Sequence, residues 1–260
     1  MPRVRVNRTA RQQDGPVVTK HSDATAVRLP ETMAVLLAAV SGFVDAFVYL
    51  RVYPVFTANQ SGNLVLAGIA VGEGEWGVAG VCAVSIACYI IGAALVIAAF
   101  DRDRVAGRAR LRAALGTEVV VLIVLVLVGT VFGRGRSVSH VVDAPVVLMV
   151  AATACAMGIQ GVALRRVHGV SVLTTAGTGN VTTIGERLGR FGAVMADRGD
   201  ELAIGIVGGV VLSYVLGAVG GALASRVNSV GPALVLIPVA VLASAMIVQL
   251  RARGSTVNPG

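Results

Sequence analysis

Charge is scarce in these 260 residues: Asp, Glu, Lys and Arg together make up 14% of the chain, and aromatic residues only 4%. Soluble domains ordinarily carry about 25% charged residues, so a conventional water-soluble globule is excluded. Only three cysteines occur, Cys82, Cys88 and Cys155, all inside apolar blocks. Neither a disulfide framework nor a metal-ligand spacing can be built from them. His21, His140 and His168 fall in tails or loops, so no cluster of His, Cys and carboxylates supports a metal, and no cofactor is expected. The basic residues outnumber the acids by 22 to 14, giving a net charge of +8. Yet the arginines sit at the ends of apolar blocks without interleaved aromatics, which points to membrane orientation and away from a nucleic-acid partner. No nucleophile stands with a base and no acids are paired, so no enzymatic activity is expected.

What the sequence has in quantity is apolar length. Hydrophobic residues make up 55% of the chain and the mean hydropathy is +0.81. They run in blocks over residues 33–50, 78–100, 119–132, 146–164, 202–224 and 233–250. These six read as membrane spans, because a helix rising about 1.5 Å per residue needs roughly 20 apolar residues to cross about 30 Å of hydrocarbon. Two shorter apolar pieces, 64–71 and 181–184 with its flanks, are too short to do so. Residues 1–29 are polar, basic and without periodicity, and read as a disordered cytoplasmic tail. Residues 30–253 form a single membrane domain, made of a first repeat over 30–132, a linker over 133–143 and a second repeat over 144–253, with a tail over 254–260.

The repeats rest on two polar, glycine-broken stretches set between long apolar blocks. The first break, residues 56–69, is Phe-Thr-Ala-Asn-Gln-Ser-Gly-Asn-Leu-Val-Leu-Ala-Gly-Ile. The second, residues 173–186, is Leu-Thr-Thr-Ala-Gly-Thr-Gly-Asn-Val-Thr-Thr-Ile-Gly-Glu. An ungapped shift of 117 positions pairs Thr57 with Thr174, Gly62 with Gly179, Asn63 with Asn180 and Ala39 with Ala156. A later shift of 125 pairs Tyr89 with Tyr214, Gly92 with Gly217 and Ala93 with Ala218. This is the signature of a tandem duplication. Pro54 ends the first span, residues 51–58 read as extended, and 59–71 as a short helix. Trp76 is a candidate headgroup anchor.

Charge counting chooses between two topologies. If each short piece leaves the membrane on the side it entered, 18 basic residues lie inside and 4 outside; if each crosses, the split is 13 to 9. Cytoplasmic loops are enriched in Lys and Arg. The expected fold is therefore an all-α integral membrane protein of six transmembrane helices plus two re-entrant half-helices in an inverted tandem repeat, with both termini cytoplasmic and the plasma (inner) membrane as its location. The alternative is eight crossing segments in a parallel repeat.

Irregular backbone at membrane depth is tolerated where it is buried in protein or lines a wet cavity. Two half-helix N-termini meeting near the midplane would offer main-chain N–H groups and positive dipole ends to a small polar or anionic solute. The candidate binding residues are Thr57, Asn59, Ser61, Gly62 and Asn63 in the first break, and Thr174, Thr178, Gly179 and Asn180 in the second. The competing reading is that these small residues pack helices tightly, which is the preferred one for Gly68/Gly72, Gly205/Gly209 and Gly217/Gly221. Asp45, an acid well inside the first span, is costly there unless paired; it either binds a coupling ion or holds a half-helix in place. The ungapped shift sets it against Val162, with Gln160 nearby. Tyr89 and Tyr214 are secondary candidates, as is Gln160.

Several of these stretches resemble the YoaK-like family of bacterial inner-membrane proteins. The resemblance is carried by Ser41-Gly-Phe-Val-Asp45-Ala, by Phe56 through Asn63 with Gly68, and by Met157-Gly-Ile-Gln160 through Arg165-Arg166 to Thr174-Thr-Ala-Gly-Thr-Gly-Asn180, over about residues 32–225. Ser61 stands where the family usually has threonine, and Gly161 where a larger polar residue often follows the glutamine. The resemblance implies a polytopic bacterial membrane protein of a family without assigned function. The leading expectation is a transporter or channel for a small polar or anionic solute. A non-transporting membrane scaffold or sensor comes next, and a membrane-embedded enzyme last. The lipid bilayer is the one certain partner class, and a homo-oligomer is left open.

Overall fold

The computed structural model describes residues 24–100, 116–117, 119–120, 123, 142–163, 166–167, 170–175, 177–191 and 198–227. The spans expected near 119–132 and 233–250, the arginine-rich loop over 101–112, most of the linker, and both tails lie wholly or mostly outside the described residues.

Within the described residues the chain forms six helices and one small hairpin: α1 (Ala24–Arg51), α2 (Gln60–Glu73), α3 (Trp76–Phe100), α4 (Ala144–Ala163), β1 (Arg166–Val167), β2 (Val170–Ser171), α5 (Gly177–Phe191) and α6 (Arg198–Ser225). Four stretches are long and apolar enough to cross a membrane: Glu31–Arg51, Trp76–Ala99, Ala144–Val162 and Glu201–Ser225. The chain is a helical, multi-pass membrane protein. The expected all-α class holds, with one hairpin of two-residue strands beside the helices. Its strands pair antiparallel, Arg166 with Ser171 and Val167 with Val170. The β-branched Val167 and Val170 suit the pleat.

Local chemistry explains where the helices stop. Pro54 disfavours helical geometry before it, and α1 closes as the Val52 and Tyr53 amides both bond the Val48 carbonyl, at 2.9 and 3.0 Å. Asn59 caps α2, its side-chain oxygen accepting from the Gly62 amide at 3.3 Å. Gly74, at φ 78°, ends it in the left-handed conformation that glycine adopts without penalty, while the Glu75 amide reaches back to the Ala70 carbonyl at 2.8 Å. With 14 residues, α2 spans roughly 20 Å and is too short to cross hydrocarbon. Trp76, largely exposed, opens α3.

Two close helix pairs carry the packing, α1 with α6 and α3 with α4. A Cβ on Gly42 would fall on the main-chain carbonyl oxygen of Tyr214, and one on Gly217 would fall on that of Ala39. In the other pair, Gly158 lies in the same way on the Tyr89 carbonyl and Gly92 on that of Cys155. Only glycine lets backbones approach this closely. Gly221 also abuts a carbonyl, that of Phe43, whereas Gly68, Gly72 and Gly205 meet nothing within 4 Å among the described residues. Among the described residues, the packing role expected for glycine therefore holds at Gly217 and Gly221.

The contacts also fix helix directions. Near their starts, Ala34 and Ala38 of α1 cluster with Ala203, Ile206 and Val207 of α6; at their ends, Arg51 reaches the Val227 carbonyl at 3.4 Å. These helices run parallel. So do α3 and α4, since the Gly77 Cβ position lies 3.1 Å from Val142 at the head of one and Gly92 meets Cys155 further along. The two pairs oppose each other. The Tyr53 hydroxyl, just past the end of α1, lies 4.0 Å from that same Gly77 position, whereas Gln160 near the end of α4 bonds Leu37 early in α1. A core cluster joins them through Leu37, Val44, Val48, Tyr53, Val81, Cys82 and Val150.

Candidate functional site: the two polar breaks

The first break is built around a carboxylate. After α1 ends, the chain turns back along it, and the Thr57, Ala58 and Asn59 amides all point at Asp45. Oδ1 accepts from the Thr57 amide at 2.7 Å, the Thr57 hydroxyl at 3.1 Å and the Ala58 amide at 2.7 Å. Oδ2 accepts from the Asn59 amide at 3.0 Å and the Tyr214 hydroxyl at 2.7 Å. Asp45 and Thr57 are fully buried. An ionised carboxylate only accepts, and here five donors surround it, which offsets the cost of burying it. It also lies against the positive end of the α2 dipole. Asp45 therefore holds the start of α2 in place, one of the two roles expected for it.

Asn63 closes a ring across the same segment. Its Oδ1 accepts from the Phe56 amide at 2.8 Å and its Nδ2 donates to the Phe56 carbonyl at 2.6 Å. Nδ2 also donates to Gln60 Oε1 at 2.9 Å and Ser85 Oγ at 3.1 Å, and the Ser85 hydroxyl donates to the Phe56 carbonyl at 2.8 Å. A carboxamide, with an acceptor oxygen beside a donor nitrogen, satisfies both main-chain groups of one residue at once. The second break repeats the ring: the Leu173 amide donates to Asn180 Oδ1 at 3.1 Å, and Asn180 Nδ2 donates to the Leu173 carbonyl at 2.6 Å. The glycine before each asparagine serves the same purpose in both. A Cβ on Gly62 would meet the Phe56 ring at 2.8 Å, and one on Gly179 would meet Leu173 at 2.7 Å. Phe56 and Leu173 thus lie where a side chain on these glycines would sit.

Other candidates divide by exposure. Asn59 is half-buried at its cap; Ser61 is exposed, its hydroxyl donating to Asn59 Oδ1 at 2.8 Å; and Thr178 is exposed at the start of α5. Thr174 and Thr175 are buried. Gln160, wholly buried, donates through Nε2 to the Leu37 carbonyl at 2.9 Å, Ser41 Oγ at 3.0 Å and Thr174 Oγ1 at 3.4 Å. The Tyr89 and Thr175 hydroxyls share a 2.7 Å bond. Tyr89 and Tyr214 thus each reach one break from a neighbouring span. Ser85 was not singled out from the sequence; its one signal is a hydroxyl in the middle of an apolar block.

The packing corrects the alignment of the first spans. Gly42 and Gly158 face equivalent tyrosine carbonyls, and Ala39 and Cys155 equivalent glycines, so α1 matches α4 at a shift of 116, not 117. One extra residue lies between Gly158 and Leu173. Asp45 then corresponds to Gly161, not to Val162. At Gly161 a Cβ would fall on the Tyr89 hydroxyl and 3.0 Å from Thr175 Oγ1.

The protein family described as "Protein of unknown function (DUF1275)" matches residues 33–248. A segment of 49 residues is 45% identical to "UPF0700 transmembrane protein YoaK" of Bacillus subtilis (strain 168), covering 19% of this chain. The chain spans only 22% of the length of that curated relative. No solved structure matches the chain.

Proposed function

We propose that this chain, which belongs to the DUF1275 family of proteins of unknown function, is a transporter or channel for a small polar or anionic solute held near the bilayer midplane. In this reading it has six crossing helices and two re-entrant half-helices, α2 and α5, in an inverted tandem repeat. Both termini are cytoplasmic, the host bilayer is the inner membrane, and the protein performs no catalysis.

The observation that carries the reading is the shared construction of the two breaks. Each is an eight-residue ring closed by an asparagine at the head of a short helix. In the first, the main chain returns to the level of Asp45, six residues inside the end of α1. Opposed directions of α1 and α4 are what an inverted repeat requires, and a pair of interrupted segments in corresponding places is the usual sign of a midplane binding site. Non-helical backbone at that depth has to be enclosed by protein or face a wet cavity.

A scaffold or sensor is the second reading, and one observation favours it: Asp45, Asn63 and Asn180 all find partners within the chain. Flux separates the two. The purified protein in liposomes is expected to pass one class among small anions, amides and polyols faster than protein-free vesicles do. Indistinguishable rates for every class would leave the scaffold.

A further inference from the structure

The two breaks differ in one respect that bears on where a solute sits. In the first, Asp45 consumes the amides of Thr57, Ala58 and Asn59, so that end is already occupied by an anion belonging to the chain. In the second, the corresponding residue is Gly161, which has no side chain. No described residue accepts a hydrogen bond from the main-chain amides of Thr174 or Thr175, although both residues are about 99% buried. Beside them lies a second unmet group. Gln160, whose Nε2 is 3.4 Å from Thr174 Oγ1, has a buried Oε1 with no hydrogen-bond partner. Unpaired buried donors and acceptors are rare and costly.

Resting on the function proposed above, we propose that the second break alone binds the polar head of the solute, and that this head carries an acceptor oxygen beside a donor: a carboxamide or a protonated oxyacid. Its oxygen takes the place that Asp45 fills in the first break and accepts from the Thr174 and Thr175 amides. Its N–H or O–H donates to Gln160 Oε1. The group now against Gly161 is the Tyr89 hydroxyl, the far end of a side chain that can rotate away, whereas Asp45 is tethered. The α5 helix contributes the positive end of its dipole from the neighbouring turn.

The test uses the full-length protein in detergent, with thermal stability read against acetamide and phosphate, which combine donor and acceptor, and against chloride and ammonium, which do not. Acetamide, phosphate or both are expected to stabilise saturably, and the pattern separates an amide from an oxyacid. Chloride and ammonium are expected to do nothing at equal ionic strength. Gly161→Asp supplies an internal carboxylate and is expected to abolish the effect. Should that variant not fold, Gly161→Ala/Tyr89→Phe fills the same space without the clash on the Tyr89 hydroxyl and is expected to raise the half-saturating concentration about tenfold, as loss of a buried polar contact does. Undiminished stabilisation in the variant that folds overturns the proposal but leaves the transport reading intact. So does equal stabilisation by chloride, or selective flux of a solute with neither probe stabilising. Absence of flux for every solute class removes the transport reading and this proposal with it.

Discussion

Gly42 and Gly158 occupy the same position in opposite halves of the chain: each lies directly on the main-chain carbonyl of a tyrosine, Tyr214 for the first and Tyr89 for the second. Each of those tyrosines then extends its hydroxyl to a polar break, Tyr214 to Asp45 and Tyr89 to Thr175. Helix packing and the polar breaks are therefore mechanically joined. A span from one half locks onto a span from the other, and the same residue that makes the backbone contact braces the irregular segment.

Gly42→Ala and Gly158→Ala are accordingly expected to destabilise the protein to a similar degree. The added methyl meets backbone, which cannot turn aside, and overpacking of this kind costs about 1–3 kcal/mol. Gly68→Ala, with nothing within 4 Å among the described residues, is expected to leave stability unchanged or raise it slightly, since alanine is the better helix former. Thermal unfolding of the three variants in one detergent checks this.

Removing the internal carboxylate has a larger effect. Asp45→Ala strands three main-chain amides and the Tyr214 and Thr57 hydroxyls, and the loss is expected to reach about 3 kcal/mol or more. Asp45→Asn keeps one acceptor oxygen and is expected to fall between Ala and wild type. Formate or acetate is expected to restore part of the stability of the alanine variant, because a free carboxylate can enter the vacated place. No difference between Asn and Ala would contradict the reading of Asp45 as an acceptor for a helix start.

The asparagine rings give a third expectation. Asn63→Asp and Asn180→Asp each lose the donor to a main-chain carbonyl and place a second negative charge at membrane depth. Both are expected to be destabilised by about 1–3 kcal/mol. Asn63→Asp also disturbs the bonds to Gln60 and Ser85. Ser85→Ala, leaving the Phe56 carbonyl with one partner fewer, is expected to cost about 1 kcal/mol. Chemical or thermal denaturation of purified variants measures both.

Much of this arrangement could be read from composition and pattern. Apolar blocks announced the spans around α1, α3, α4 and α6, Pro54 the end of α1, and Asn59 the start of α2. The recurring Gly-Asn marked both breaks. Asp45 stood out because a carboxylate inside a hydrophobic block needs a reason. Identity matching failed at the register of α1 on α4. In alanine-rich helices a chance identity such as Ala39 with Ala156 is cheap, and only the carbonyl contacts of Gly42 and Gly158 reveal the one-residue slip. For the same reason Gly161 was not recognised as the counterpart of Asp45. Ser85 was missed because a lone serine in a span carries no periodic signal. The hairpin at Arg166–Val167 and Val170–Ser171 is too short to produce an alternating pattern. The side-chain roles of Asn63 and Asn180 were also not legible: the spacing placed them at the breaks, but their engagement with Phe56 and Leu173 depends on how the chain folds back.

The account stands on the claim that the first polar break turns the chain back without crossing the membrane. The direct measurement is labelling of single engineered cysteines in intact cells with an impermeant thiol reagent, in a background lacking Cys82, Cys88 and Cys155. Positions 76 and 142 sit at the heads of α3 and α4, on the side where α1 ends, and position 31 at the opposite end of α1. Labelling of Trp76→Cys and Val142→Cys from outside, with Glu31→Cys reacting only after the membrane is opened, is the expected result. Protection of both 76 and 142 together with 31 would mean that α2 crosses, and would contradict the account.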